Sequence, residues 1–149
     1  MSPRESTEQL RSILVPVDGS RAGLQAVAFA CDIARQNKGI VYVVHVIEVR
    51  RALPLDAEVK PEAAASEEIL SQAERVAREQ DFNVEVELLQ ARDAGHAIVD
   101  EAIERGVDLI ILGSEYHQPF GEFQLGRVIQ YVLRSAPCEV WVRRRPVQE

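Results

Sequence analysis

The sequence predicts an α/β fold built on an open parallel sheet with helices on both faces, and three features carry that prediction. Short β-branched apolar runs alternate with segments of helical period along the whole chain. Two of the runs, Ile40–Ile47 and Val107–Leu112, are apolar almost without a break, as strands covered on both sides must be. Helical segments are closed by Asn37 with Gly39, by Gly106 and by Pro137, residues that stop helices for backbone reasons. Strict β-α alternation specifies parallel strands joined by right-handed crossovers.

Each element can be justified in order. Ile13-Leu14-Val15 is a short strand stopped by Pro16, and Ala22, Leu24, Ala26, Val27, Ala30, Ile33 and Ala34 then recur at helical spacing. The second strand is Ile40–Ile47, followed by a polar connector from Arg50 to Pro61 in which Pro54 and Pro61 exclude a continuous helix. Glu62–Gln80 is a surface helix with Ala65, Ile69, Ala73, Val76 and Ala77 along one buried stripe. Val84, Val86 and Leu88 alternate with Glu85 and Glu87, the pattern of a strand with one wetter face. Ala94–Arg105 is a third helix and Val107–Leu112 a buried strand closed by Gly113 and Ser114. A loop from Glu115 to Gln124, a helix from Leu125 to about Ser135 and a last strand at Val140-Trp141-Val142 complete the order.

The chain has 149 residues, 46% hydrophobic and 28% charged. That suits one domain, residues 1–149 with a core of about 12–144, burying roughly 70% of the surface its unfolded form exposes. Such a core needs no metal or disulfide. The net charge of −7 argues against sequence-independent binding to nucleic acid or anionic lipid. No apolar run approaches the ~20 residues of a membrane span, and Met1–Leu10 lacks the apolar centre of a signal peptide. Cys31 and Cys138 form no CxxC motif and read as reduced thiols of a cytoplasmic protein.

In open sheets of this kind ligands sit beyond the carboxyl ends of the strands, here the loops Pro16–Ser20, Val46–Arg50, Ala91–Gly95 and Gly113–Arg127. The first turn, Pro16-Val17-Asp18-Gly19-Ser20, is not G-x-G-x-x-G, and the chain contains neither GxxxxGK[ST] nor G-x-S-x-G. Asp18 lacks the acidic neighbours and late lysine of a phosphorelay receiver. No nucleophile–base pair or acid–base carboxylate pair can be assembled from these loops, so the chain reads as a binding module and not as a turnover enzyme.

Ile13-Leu14-Val15-Pro16-Val17-Asp18-Gly19-Ser20, Val43-Val44-His45-Val46 and Asp108-Leu109-Ile110-Ile111-Leu112-Gly113-Ser114 resemble the universal stress protein family. So do Leu125-Gly126-Arg127-Val128 and the ending Ala136-Pro137-Cys138-Glu139-Val140-Trp141-Val142-Arg143, and the resemblance runs from about Ser12 to Arg144. It implies a five-stranded sheet in the order 3-2-1-4-5 and a homodimer formed by the last strands of two subunits. The residues agree, because Val140, Trp141 and Val142 form an apolar terminal strand, and such an edge tends to pair with another chain. The alternative is that Arg143–Arg145 guard the edge by charge.

ATP-binding members of the family carry G-x2-G-x9-G-[ST] before the fourth helix. Here Gly113 and Gly126 match its first and last glycines, Tyr116 stands at the middle glycine and Arg127 at the Ser/Thr position. Arg92-Asp93-Ala94 stands where the family often has Gly-x-Pro. Two readings follow from the resemblance. In one, Pro16, Asp18, Val46, Gly113, Ser114, Gly126 and Arg127 form a nucleotide site, with Asp18 on a ribose hydroxyl, the Val46 backbone at adenine and Arg127 on phosphate. ATP or AMP with magnesium would then act as the ligand of a binding switch, with slow hydrolysis a further option. In the other, Tyr116 fills the cleft, Arg127 pairs with a carboxylate, ATP binds weakly or not at all, and no cofactor is required. Surplus volume in a packed site costs ~1–3 kcal/mol, which favours the second reading.

Other polar residues read as structural. His45 is a buried, hydrogen-bonded histidine inside an apolar strand. His96, between Asp93 and Asp100, marks a capped helix start and not a metal site. His117 stands in a loop with no second histidine, Cys138 is a packed thiol, and Arg143–Arg145 form a solvated tail. The whole reads as a cytoplasmic, homodimeric regulatory module of the stress response that acts on an unidentified protein partner. A free-standing chain is favoured over the cytosolic domain of a transporter.

Overall fold

The computed structural model describes residues 9–56, 60–116 and 126–146, the side chains of Lys60, Pro61 and Tyr116 excepted. Nine elements alternate along it: β1 (Ser12–Pro16), α1 (Arg21–Asn37), β2 (Ile40–Glu48), α2 (Lys60–Glu79), β3 (Glu85–Ala91), α3 (Ala94–Arg105), β4 (Leu109–Tyr116), α4 (Arg127–Ser135) and β5 (Glu139–Pro146). The strands form one parallel sheet in the order β3-β2-β1-β4-β5, as the family resemblance implies.

Consecutive side chains of a strand face opposite sides of the sheet, and this alternation builds two cores. Ile13, Val15, Val41, Val43, Leu109 and Ile111 pack with α1 and α2 on one face. Leu14, Val44, Ile110 and Leu112 pack with α3 and α4 on the other. Burying one such side chain stabilises the fold by about 1.5–3 kcal/mol. The chain winds from β1 out to β3 with its helices on one face, then returns past β1 to β4 and β5 with its helices on the other.

Local chemistry sets most boundaries. Ser20 caps α1 by accepting from the Gly23 N–H, and Gly106, at φ 61°, ends α3 as its sequence position predicts. Three expectations shift. The second helix starts at Lys60 and takes Pro61 into its first turn, where a missing N–H leaves no acceptor unpaired. β4 does not close at Gly113 and Ser114 but continues to Tyr116, paired with β5 as far as Pro146. Accordingly Arg143–Arg145 are not a solvated tail: they are strand residues. The Arg143 guanidinium lies 4.4 Å over the Phe29 ring and donates to the Gln25 carbonyl at 3.1 Å. Its burial, with Arg145 nearby, lowers its pKa from the usual arginine value. The fourth helix begins at Arg127, and Leu125, its expected first residue, lies outside the described residues.

The approach of β4 to α1 is a tight constraint on this architecture. A Cβ on Gly113 would overlap the Ala22 carbonyl and crowd the Gly23 nitrogen, and both are backbone groups of α1 with no rotamer to yield. Gly113→Ala therefore forces α1 and β4 apart. Urea unfolding is expected to show a loss of at least ~1–3 kcal/mol against the parent chain, with the m-value retained.

Candidate functional site

β1 and β4 are in register only through Ile13–Leu109 and Leu14–Ile110, and the winding of the chain reverses between them. A cleft of about 370 Å³ opens beyond their carboxyl ends, the place where open α/β sheets hold ligands. Pro16, Asp18, Val46, Gly113, Gly126 and Arg127 line it. These are six of the seven positions expected of a nucleotide site. The seventh, Ser114, is not among the lining residues; it lies opposite Arg144 of β5. Val17, Ile98, Leu112, Val128 and Ile129 make the remaining wall mainly apolar. The side chain of Tyr116, expected to block the cleft, lies outside the described residues, as do His117 and the rest of 117–125.

Of the helix starts at this end of the sheet, those of α1, α3 and α4 contribute residues to the cleft, and they differ in who satisfies their amides. At α1, Asp18 Oδ1 accepts from the Ser20 N–H at 2.9 Å, Glu115 Oε1 from the Ala22 N–H at 2.8 Å and Ser20 Oγ from the Gly23 N–H at 3.2 Å. At α3, Glu48 Oε2 accepts from the Ala94 N–H at 2.9 Å and Asp93 Oδ1 from the His96 N–H at 2.9 Å. At α4 the N-cap is Gly126, and no side chain among the described residues caps the helix. Helix starts carry partial positive charge. Those of α1 and α3 are already met by this chain's own carboxylates, whereas that of α4 opens on the cleft beside Arg127.

Glu48 and Glu115 were not foreseen from the sequence, although each stands at or just past the apolar part of a strand that points at a helix start. Arg92 was noted only as a departure from the family pattern. It donates to the carbonyls of Val49, at 3.3 Å, and of Arg50, tying the turn before α3 to the connector after β2.

His45 is half-buried as well as cleft-lining, and its Nδ1 lies 2.6 Å from the Val17 carbonyl. A carbonyl only accepts, so Nδ1 carries the proton. Arg127 is exposed, and no carboxylate among the described residues forms the ion pair expected of it. A second recess of about 290 Å³, with Glu48, Asp93, Tyr131 and Arg134, adjoins the cleft at Arg127 and Val128. Burial pushes the Cys31 thiol up to about 11 and raises that of Cys138. Val140, Trp141 and Val142 are half-buried against their own chain, Trp141 lying 6.0 Å from Phe29 between ring centres.

His96 caps nothing itself; Asp93 does. The side-chain and backbone hydrogen bonds from His96 hold the Asp93 carboxyl below its usual range. A depressed carboxyl pKa stabilises the fold above the unfolded-state value and loses that contribution as pH falls through the folded one. Asp93→Ala is expected to cost about 1 kcal/mol at pH 7. In thermal melts the gap between variant and parent should close as the pH is lowered below about 4. A gap that does not change with pH would remove the ionised cap from the account.

With this geometry in place, residues 9–144 match the universal stress protein family. A universal stress protein of Methanocaldococcus jannaschii is 28% identical over 152 aligned positions, spanning 98% of this chain and 89% of that one. A universal stress protein structure from Archaeoglobus fulgidus superposes with a TM-score of 0.76 at 27% identity, covering 89% of this chain and 97% of its own. The structure of the Archaeoglobus fulgidus universal stress protein in complex with dAMP superposes with a TM-score of 0.70 at 25% identity, over 89% and 96% of the two chains. The chain belongs to the universal stress protein family.

Proposed function

We propose that this protein is a regulatory module of the universal stress type, cytoplasmic and homodimeric, that acts by binding and not by turnover. Its cleft admits the adenosine part of an adenine nucleotide and holds a triphosphate poorly. The observation that carries this reading is the gathering of Pro16, Asp18, Val46, Gly113, Gly126 and Arg127 around one largely apolar cleft. The apolar wall suits a purine, Asp18 is an acceptor for a ribose hydroxyl, and the uncapped start of α4 with Arg127 suits a phosphate. The related protein solved with dAMP supports a nucleoside monophosphate as the ligand.

The weak affinity for ATP follows from two substitutions in the family pattern, Tyr116 for glycine and Arg127 for serine or threonine. Gly113 supports the same reading. Its lack of a side chain serves the contact with Ala22 and Gly23, so its presence does not by itself make a phosphate cradle. Homodimerism rests on β5, which among the described residues pairs only with β4 and leaves an edge open to a second copy. Nucleotide occupancy of the cleft would then alter the surface offered to a protein partner.

Calorimetric titration with AMP and with ATP, each with and without magnesium, tests the reading. AMP is expected to bind and ATP to bind more weakly; a low-micromolar dissociation constant for ATP would overturn the weak-triphosphate reading. Tyr116→Gly combined with Arg127→Ser is expected to tighten ATP roughly five- to a hundredfold. An unchanged or weaker affinity would show that bulk at those two positions does not limit the site.

A further inference from the structure

We propose that His45 is a positioning residue of the cleft: its ring fixes the peptide between Val17 and Asp18, and thereby aims the Asp18 carboxylate at the ribose of the ligand. The inference rests on the reading of the cleft as an adenine-nucleotide site with Asp18 as the ribose acceptor. It adds what holds that acceptor in place and the selectivity that follows. Its starting point is the 2.6 Å contact between His45 Nδ1 and the Val17 carbonyl, in which Nδ1 is the donor.

The first turn is tied to β2 at one residue. The register of β1 with β2 ends at Pro16 and Val44. Just past it, the Val17 N–H donates to the Val44 carbonyl at 2.8 Å, and His45 donates to the Val17 carbonyl. Both polar groups of the Val17 backbone are therefore held by adjacent residues of β2, one through backbone and one through a side chain. The Val17 carbonyl belongs to the planar unit that ends at the Asp18 Cα, so fixing its direction fixes where the Asp18 side chain departs. On the far side of Asp18, its own Oδ1 accepts from the Ser20 N–H at 2.9 Å. With that oxygen engaged, Oδ2 is the atom assigned to the ribose hydroxyl. Val17 is buried and Asp18 exposed, so the turn passes from core to cleft within one residue, and hydrogen bonds direct the carboxylate where packing no longer does.

His45 stands two residues beyond Val43, which packs with α1 and α2, and its ring faces that side of the sheet. It acts through Val17 and not by touching the ligand. A part-buried carbonyl that loses its donor carries a desolvation cost, so without His45 the peptide before Asp18 is expected to turn toward another partner.

His45→Phe removes the donor and keeps an aromatic ring, whereas His45→Asn keeps a donor, its Nδ2, close to the place of Nδ1. AMP and the analogue lacking both ribose hydroxyls would be titrated by calorimetry into the parent and the two variants, with thermal melts of all three chains. The parent is expected to prefer AMP by about tenfold or more, as a hydrogen bond to a carboxylate allows. His45→Phe is expected to bind the analogue within about threefold of the parent and to lose most of the preference for AMP, while His45→Asn keeps it. Should His45→Phe fail to fold, His45→Gln, which sets its amide one bond too far out, carries the same expectation. Equal weakening of both ligands, with the preference intact, would reduce His45 to a structural role and leave the nucleotide site standing. A parent that binds the two ligands alike would overturn Asp18 as the ribose acceptor, and this inference with it. A parent that binds neither would overturn the nucleotide reading itself.

Discussion

Everything at the carboxyl end of the sheet depends on one contact, the backbone of β4 at Gly113 against the first turn of α1 at Ala22 and Gly23. No side chain intervenes, so the distance is set by the backbones themselves. That contact positions the start of α1 over the gap between β1 and β4, and it aims the continuation of β4 so that Glu115 reaches the Ala22 amide. The cleft exists because β1 and β4 pair through only two residues before the helix start comes between their ends.

The electrostatics of the site are local and run against the global charge. A chain of net charge −7 repels anions at long range, yet helix starts and a guanidinium attract them at short range. Here the carboxylates of Asp18, Glu48, Asp93 and Glu115 answer the starts of α1 and α3, and Arg127 stands beside that of α4. The carboxylates that complete the hydrogen bonding of the fold thus also place negative charge at this end of the sheet.

Much of this was legible in the chain itself. The parallel sheet, the order of elements and the two-sided burial follow from apolar runs such as Ile40–Ile47 and from helix stops such as Gly106. Six cleft positions were readable through the family pattern, and His45 and Asp93 take the hydrogen-bonded and capping positions that their surroundings in sequence predict. The misreadings share a cause. Arg143–Arg145 look like a solvated tail because charge dominates their local pattern, but Phe29 and the Gln25 carbonyl, more than a hundred residues earlier, give Arg143 a stacked and bonded place in β5. Gly113 and Ser114 look like a strand end because glycine is a common stop, yet β5 extends the ladder past them.

By itself the sequence determined which residues are strand, which are helix and which turns carry the chemistry, because hydrophobic period and capping are properties of neighbours along the chain. It did not determine that Gly113 is a packing glycine, or that Glu48 and Glu115 answer the amides of distant helices. Those outcomes belong to tertiary structure alone. They depend on how far α1 can descend onto β4, and that distance is a contact between segments some ninety residues apart, for which no local pattern exists to be read.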